Sequence, residues 1–542
     1  MIDAYINQSL FSALIVSSNS NQVTPIKRIA AIDIGTNSFH AIIVDVYSDG
    51  SFRTLDKLKE MVQLAKGGMG KRLSDGAFKR GLTALRNIKR LADSYECEEI
   101  LAYATSAIRE AENGGEFIQK SIDDIGIKMN AIPGRVEAEL IGLAVRHGVK
   151  LTEEPVLMAD VGGGSVEFLI GNEKEFFYTA SKKIGVSRMT EIFKPSDPIT
   201  DEDIKKLEAH YEEQLRDVAQ AFAQHRTDTI IGSSGTMENI AQMIAARKDK
   251  SIDVTLNEME FSAEEFRKFY DWFIKLSKKE RKKVDGLDTK RVGFINTGVV
   301  LLDFLIRKFG IKTVKISSQA LREGIVIRYL KKDMIGLQWS GAFADPRRRS
   351  VFELLRKTNW HEAHSRHVAN MALTIFDALE DELELTLNDR ELLEYASYLH
   401  DIGYYISHSK HHKHALYIIR HSDLKGFKED EIEIIANVAR YHRRSTPKKR
   451  HGEYWKMSPA IRKRIKKLSG ILRVADGLDR SHYQNVKDLQ VYSEKEQIKL
   501  NIRTEGEPYL EIWGAERKSD LLKEVTGKKI NIERVIEPAY IG

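Results

Sequence analysis

Two short stretches combine an aspartate with a turn of glycine and hydroxyl residues, and both lie between apolar segments typical of strands. The first reads DIGTNS from Asp33, and the second reads DVGGGS from Asp160. Small residues let backbone N–H groups surround phosphate oxygens, and an aspartate at the rim can hold a hydrated cation against them. One such turn is weak evidence, because hairpins often contain Asp and Gly for turn geometry alone. Two related turns in one chain favour a two-lobed phosphate clamp.

A second group of candidate residues combines histidines with aspartates. The pair His400 and Asp401 lies in LHDIGYYISHSKHHKHALYII, with HEAHSRHVANMAL upstream and ARYHRRSTP and ILRVADGLDRS downstream. Imidazole nitrogens and carboxylates bind first-row metals or Mg²⁺, and such ligands are widely spaced when several helices supply them. The alternative is that these histidines are structural and that SHSKHHKHA is an exposed polar turn.

The hydrophobic pattern predicts which elements carry these residues. Up to about Leu330 strands alternate with helices, as in the strand–turn–strand segment RIAAIDIGTNSFHAIIVDVY and the strand–turn–helix segment TDTIIGSSGTMENIAQMIAA. This alternation predicts an α/β architecture. The segments IAAIDIGTNSFHAIIVDV and VLMADVGGGSVEFLIGN share one plan, which suggests two related lobes that face a cleft. Residues 350–483 have an almost wholly helical pattern, and a small α/β unit follows.

Length and composition indicate a multidomain globular protein. The chain has 542 residues, of which 42% are hydrophobic and 30% charged, so three or four units are expected. The single cysteine, Cys97, excludes a disulfide framework and is compatible with a reducing cytoplasm. A net charge of +6 is small for this length, and no nucleic-acid partner is expected. We find no apolar run of about 18 residues that would span a membrane, and we interpret residues 1–26 as an N-terminal extension.

Seven motifs occur in the order found in one enzyme family. They are DIGTNSFHAIIVD, ATSAIREAENGGEF, IPGRVEAELIGLAV, DVGGGSVEFLIG, KKIGVSRMTEIF, IGSSGTMENIA and SSQALREGIV. In these motifs the chain resembles the exopolyphosphatase / guanosine pentaphosphate phosphohydrolase family of the actin-like ATPase superfamily. The resemblance implies two actin-like (ribonuclease H-like) α/β lobes, followed by an all-α HD-like domain and a small α/β C-terminal domain. We place the extension at 1–26, the lobes at 27–153 and 154–338, the HD-like domain at 339–490 and the last domain at 491–542.

The resemblance also implies roles for residues of the cleft. Asp33 and Asp160 match carboxylates that position Mg²⁺, and Arg109 matches an arginine that contacts phosphate, a task that suits a guanidinium fork. The residues expected to bind phosphate are Gly35, Thr36, Asn37, Ser38, Ser106, Gly162, Gly163, Gly164 and Ser165, with Thr105 in the same TSA..R stretch as Ser106.

The resemblance also implies which residue positions the attacking water, and a departure from the family pattern strengthens the choice. The family reads SG.EEAR, and its second Glu positions the water; here the stretch reads PGRVEAE, so that residue falls on Glu137. Val136 replaces the first Glu and cannot do this work, whereas Glu139 replaces the Arg. A further departure is Gly293, where the family often has Asp.

The helical region resembles the HD superfamily signature H…HD…D. His367, His400, Asp401 and Asp476 occupy the four places, and His414 and His442 could extend the set. The resemblance therefore implies a second divalent metal in this region. In many exopolyphosphatases the corresponding domain has lost ligands and acts structurally, which is the alternative here.

The expected activity is Mg²⁺-dependent, processive hydrolysis of terminal phosphate from inorganic polyphosphate. The alternatives are removal of the terminal 5′ phosphate of guanosine pentaphosphate (pppGpp), a nucleotide or polyphosphate sensor without turnover, and an HD phosphohydrolase with an accessory actin-like part. A sugar kinase ranks lowest, because TSAIR and LREGIV match the phosphatase family. The basic stretch 443–470 suits a polyphosphate track or a solvated face. The family implies a homodimer, and we expect a cytoplasmic location.

Overall fold

The computed structural model describes residues 24–64, 72–248, 256–332 and 345–535. Of the predicted N-terminal extension, residues 1–23 lie outside these ranges, and so does the predicted boundary between residues 338 and 339. Among the described residues no helix combines the length and the apolar character that crossing a membrane requires.

Two mixed sheets form the first part of the chain. Their strands are β1 (Lys27–Ile34), β2 (Ser38–Val46), β3 (Phe52–Met61), β4 (Glu99–Ala104), β5 (Met129–Ala131), β6 (Val156–Val161), β7 (Val166–Gly171), β8 (Phe176–Lys182), β9 (Thr229–Ser233), β10 (Glu260–Ser262) and β11 (Thr313–Ile316). The first sheet has the strand order β3-β2-β1-β4-β5, and the second sheet has the order β10-β11-β9-β6-β7-β8.

Both sheets contain the same central arrangement. In each, an antiparallel hairpin (β1 with β2, β6 with β7) lies beside a parallel strand (β4 and β9, respectively). The register places Asp33 opposite His40 and Asp160 opposite Glu167. The two aspartates therefore occupy equivalent positions, one residue before the end of β1 and of β6.

Helices cover these sheets and connect them. They are α1 (Asp75–Ser94), α2 (Ser106–Arg109), α3 (Gly114–Ile125), α4 (Gly134–Gly148), α5 (Val186–Phe193), α6 (Asp201–Gln214), α7 (Arg216–Gln224), α8 (Ser234–Ala246), α9 (Ala263–Phe273), α10 (Lys278–Arg281), α11 (Ile295–Phe309) and α12 (Leu321–Lys332), with a 3-10 helix at Thr289–Arg291.

Helices α4 and α12 share one hydrophobic core with both sheets. Ile141 of α4 and Ile325 of α12 pack with Ala31 of β1 and Leu169 of β7, all of them buried. Helix α12 contacts β1 and β2, so the last helix of the predicted second lobe returns to the first sheet. This packing holds the N-terminus of α4, which carries Glu137, between the lobes.

The helical region follows from residue 346. Its helices are α13 (Pro346–Lys357), α14 (Glu362–Leu379), α15 (Leu387–Leu399), α16 (His411–Arg420), α17 (Glu429–Tyr441), α18 (Gly452–Lys456) and α19 (Pro459–Gly477), with a 3-10 helix at Ile402–Tyr405. The helical region contacts both lobes: Arg356 pairs with Asp49 at 2.7 Å and Lys428 pairs with Glu260 at 2.7 Å.

A three-stranded sheet and two helices end the described chain. They are β12 (Val486–Ser493), β13 (Gln497–Thr504), β14 (Lys529–Arg534), α20 (Tyr509–Lys518) and α21 (Asp520–Thr526). The predicted boundary between residues 490 and 491 falls inside β12. Val486 and Leu489 are the buried residues of this strand. Val486, Leu489 and the inward residues of β13 and β14 share one core with the helical region.

Candidate functional site

The first turn, between β1 and β2, is closed by its own backbone. The N–H of Gly35 donates to the carbonyl of Ser38 at 3.2 Å. A Cβ at Gly35 would lie 2.8 Å from that carbonyl oxygen, so the turn requires glycine here. Thr36 lies 3.1 Å, hydroxyl to hydroxyl, from Ser106 at the start of α2. The turn and α2 therefore present hydroxyl groups side by side.

The second turn, between β6 and β7, faces the first. A Cβ at Gly163 would lie 2.5 Å from the side-chain nitrogen of Asn37, which shows how closely the two turns approach. Asn37 donates to the hydroxyl of Ser187 on α5 at 2.9 Å. Gly163, the middle residue of the triple glycine, therefore allows the two turns to come into contact. The structure brings the two predicted phosphate turns together.

Four carboxyl groups, those of Asp33, Asp160, Glu137 and Glu167, lie near enough to one another to interact electrostatically. Burial, together with the nearby carboxylates of Asp160 and Glu167, raises the pKa of Asp33 to about 7, although Arg322 acts in the opposite direction. Burial also raises the pKa of Asp160 to about 6, although its Oδ2 accepts a 2.7 Å hydrogen bond from Ser233. Mutual repulsion of carboxylates in a poorly solvated cleft favours protons or a cation beside them.

Glu137 lies in the first turn of α4 and is 6% exposed. Burial raises its pKa to about 8, with Arg109 acting in the opposite direction and Asp33 and Asp160 in the same direction. Nη1 of Arg109 donates to Oε2 of Glu137 at 3.0 Å and to the carbonyl of Ile132 at 2.8 Å. This pairing orients the Glu137 carboxyl group. The effect of Asp33 and Asp160 on the pKa of Glu137 places the three carboxyl groups near one another.

The sequence-based prediction did not include two further residues of this site, Glu167 and Arg322, although two of the quoted motifs contain them. Glu167 is 1% exposed and accepts a hydrogen bond from Ser181 at 2.8 Å, and burial raises its pKa well above the ordinary value. The sequence feature that could have revealed Glu167 is that it is the single acid of VEFLIG, a strand that is buried throughout. Arg322, on α12, ion-pairs with Glu323 at 3.0 Å and lowers the pKa of Asp33.

The second candidate cluster lies in the helical region and corrects one predicted ligand. Nε2 of His364 lies 3.8 Å from Asp401 Oδ2 and 3.7 Å from Asp476 Oδ1, and Nε2 of His400 lies 3.5 and 3.9 Å from the same atoms. The prediction that His367 belongs to this set is wrong. His364 occupies its place, because three residues of α14 rotate a side chain by about 60° and only one of the two faces the cluster.

The other carboxylate oxygen of Asp401 meets two more histidines. Its Oδ1 lies 3.2 Å from Nε2 of His411 and 3.6 Å from Nε2 of His442. His442 thus extends the cluster as expected, whereas His411, not His414, is the second addition. Burial would raise the pKa of Asp401, but His400 and the two added histidines hold it well below the usual range.

Comparison with known proteins identifies the family. Residues 42–333 match the Ppx/GppA phosphatase family, and residues 347–522 match domain III of the Ppx/GppA phosphatases. The first match alone covers more than half of the chain. The chain belongs to the Ppx/GppA phosphatase family.

Solved structures show the same fold over the first part of the chain. An exopolyphosphatase from Cytophaga hutchinsonii is 28% identical, with a TM-score of 0.54, over 56% of this chain and 98% of its own. An exopolyphosphatase-like protein is 25% identical, with a TM-score of 0.50, over 57% and 99%. The predicted fold class is confirmed: an actin-like pair of α/β lobes, a helical region and a small sheet domain.

Proposed function

We propose that this phosphatase removes terminal phosphate groups from inorganic polyphosphate at the cleft between the two lobes. The observation that carries the proposal is the convergence of both glycine turns on a base lined by Asp33, Asp160 and Glu137. Turn N–H groups suit phosphoryl oxygens, and carboxylates suit a cation and a water molecule. A chain of phosphates supplies one terminal group after another to such a site.

Glu137 is the group we expect to activate water. Its oriented carboxylate accepts a proton from the attacking water, and a pKa of about 8 makes it a stronger base than an exposed glutamate. The water oxygen then forms a bond to phosphorus while the anhydride bond breaks toward the leaving phosphate. Phosphoryl transfer depends mainly on positioning and charge stabilisation, so the chain needs no covalent nucleophile.

Oxygen ligands at the base of the cleft fit Mg²⁺. Asp33 and Asp160 offer carboxylate oxygens, and Thr36 and Ser106 offer two hydroxyls that lie 3.1 Å apart. Mg²⁺ prefers such hard ligands and keeps several waters of its own. When bound, it would neutralise charge on the phosphoryl oxygens. Arg109 and the turn N–H groups supply the remaining positive charge and orient the terminal phosphate.

A phosphate-release panel tests the substrate. We expect release from polyphosphates of several chain lengths with Mg²⁺, at a higher kcat/KM than release from pppGpp. A higher kcat/KM for pppGpp would assign the same cleft to the nucleotide, and binding of polyphosphate without release would make the protein a sensor. The homodimer, taken from the family resemblance, and the cytoplasmic location, with which the single cysteine is compatible, are further proposals.

The pH dependence of this activity follows from the protonation of Glu137. Only the carboxylate form accepts a proton, so kcat/KM should rise with pH below about 8 and level off above it. Mg²⁺ competes with protons for Asp33 and Asp160, whose pKa values are about 7 and 6. More Mg²⁺ should therefore move the acidic limb to lower pH. Phosphate release measured from pH 5.5 to 9.5 at two Mg²⁺ concentrations checks this; a flat profile at low Mg²⁺ would contradict it.

A further inference from the structure

The second phosphate turn is held by the start of helix α5. The first three N–H groups of α5, at residues 186–188, donate to the carbonyls of Gly162 and Gly163 at 2.9–3.1 Å. The guanidinium Nε of Arg188 donates to the carbonyl of Gly164 at 2.7 Å. Three successive carbonyl groups of the turn are therefore bound on the side of α5.

This arrangement orients the N–H groups of the turn. In a trans peptide the C=O and N–H bonds point in opposite directions, and the peptide groups of this turn are trans. The N–H groups of residues 163–165 share their peptide groups with the three bound carbonyls, so they point away from α5. These are N–H groups that the proposed function assigns to phosphoryl oxygens. Loss of the bond to Gly164 would leave the peptide group that carries the N–H of Ser165 free to rotate.

The arginine that holds Gly164 also binds the first lobe. Nη2 of Arg188 donates to Oε2 of Glu110 at 3.0 Å, so one guanidinium group contacts both lobes. Arg188 is 7% exposed. Glu110 directly follows Arg109, the residue that pairs with Glu137. A planar guanidinium bound by two acceptors has a defined orientation, which a lysine ammonium does not reproduce.

A second link between the lobes starts from the neighbouring residue of α5. Nδ2 of Asn37 lies 2.9 Å from Oγ of Ser187, and the same hydroxyl lies 3.2 Å from Oδ1 of Asn37. Ser187 thus contacts the first phosphate turn, while Arg188 contacts the residue after α2. Because both residues lie at the N-terminal end of one helix, a single rigid element binds the second turn and the first lobe together.

The carboxylate of Glu110 depends mainly on Arg188 for a compensating charge. Its side chain is 12% exposed, and its Oε1 is buried without a hydrogen-bond partner among the described residues. Lys183 also pairs with Glu110, at 3.1 Å, but the lysine side chain is 67% exposed and water screens this pair. Removing Arg188 alone would therefore leave a largely buried negative charge beside a site for polyanions, whereas removing both charges would not.

We propose that Arg188 is a positioning residue that completes the second phosphate turn when the lobes come together, with Glu110 as its partner in the other lobe. This inference rests on the proposed function. When the lobes part, the guanidinium loses Glu110 and with it a fixed orientation, so the carbonyl of Gly164 is no longer held. Approach of the lobes restores the bond and assembles the phosphate-binding groups of both lobes in one step, as in enzymes whose closure completes the site.

A double-variant comparison tests this coupling. Arg188→Gln should raise KM for tripolyphosphate by about 10-fold and lower kcat by about 10-fold, because the terminal phosphate is misplaced relative to the groups of the first lobe. Glu110→Gln keeps an oxygen for Arg188 but not the charge, and it should lower kcat/KM by about 10-fold. Independent effects would give the double variant a loss of about 10³-fold, whereas a shared contact predicts about 10²-fold, the loss of Arg188→Gln alone.

Two further variants separate positioning from folding. Arg188→Lys keeps the charge but not the planar fork, so its kcat/KM should lie between those of the unmodified protein and Arg188→Gln. Lys183→Gln removes the exposed cation from the same carboxylate and should change kcat/KM by less than about threefold. Loss of folded protein lowers kcat without raising KM, so circular dichroism and KM together reveal an effect that is merely structural.

The comparison also distinguishes failure of this inference from failure of the proposed function. Should the unmodified protein release no phosphate, the proposed function fails, and equilibrium binding of tripolyphosphate then gives the same comparison with Kd in place of kcat/KM. Losses that add in the double variant, an unchanged KM or Kd in Arg188→Gln, or equal losses in Arg188→Gln and Lys183→Gln would overturn the role of Arg188. Absence of both release and binding would overturn both proposals.

Discussion

Replacing Glu137 with glutamine should lower kcat for phosphate release from polyphosphate by about 10²–10⁴-fold, the range for loss of a general base. Glutamine keeps the shape of the side chain and an oxygen that can accept a hydrogen bond from Arg109. In the unmodified protein Arg109 donates to the Glu137 carboxylate at 3.0 Å. It cannot accept a proton from water. KM should stay equal or fall, because a negative charge leaves a site that binds a polyanion. Steady-state phosphate release and equilibrium binding of polyphosphate measure both quantities.

Glu139→Gln is the matched control on the same helix. Glu139 pairs with Arg135 at 3.3 Å, and its side chain is 45% exposed. Exposed pairs of this kind contribute about 0–1 kcal/mol, so kcat should stay within about twofold of the unmodified protein. A Glu137→Gln variant that retains kcat within about tenfold would remove Glu137 from the role of base.

Replacing Asp160 with asparagine should abolish most activity and yet stabilise the fold. Loss of a cation ligand should lower kcat/KM by about 10³-fold and raise the Mg²⁺ concentration for half-maximal rate. The folded-state pKa of about 6, above the ordinary 3.8, means that the ionised Asp160 destabilises the fold at higher pH. Without divalent cations at pH 8, asparagine should therefore raise the free energy of unfolding, by up to about 3 kcal/mol.

Asp228→Asn provides the comparison for this variant. Asp228 precedes β9 in the same sheet, pairs with Lys312 at 3.3 Å and has a side chain that is 54% exposed. Neither Mg²⁺ dependence nor thermal stability should change measurably. Thermal unfolding and Mg²⁺ titrations of both variants decide the matter. Unchanged Mg²⁺ dependence in Asp160→Asn would place the cation elsewhere, and a lower melting temperature would contradict the electrostatic reasoning.

The amino-acid sequence by itself determined the local parts of the site. An apolar strand, an aspartate and a glycine turn are adjacent in the chain, so Asp33 and Asp160 reach equivalent strand ends whatever packs around them. The alternation of strands and helices likewise predicts the α/β lobes from short-range pattern. Even Glu167 carried a local signal, since a lone acid in a continuous apolar strand must find a polar partner.

Only the tertiary structure decided which distant side chains meet. Periodicity places both His364 and His367 on α14 but leaves open which one faces Asp401, because a rotation of the helix by about 60° exchanges them. Asp401 and Asp476 come together with His364 through the packing of several helices around one core. In the same way, Glu137 reaches the aspartates because α4 is held between two sheets. Such contacts depend on how elements pack, and short-range pattern does not specify packing.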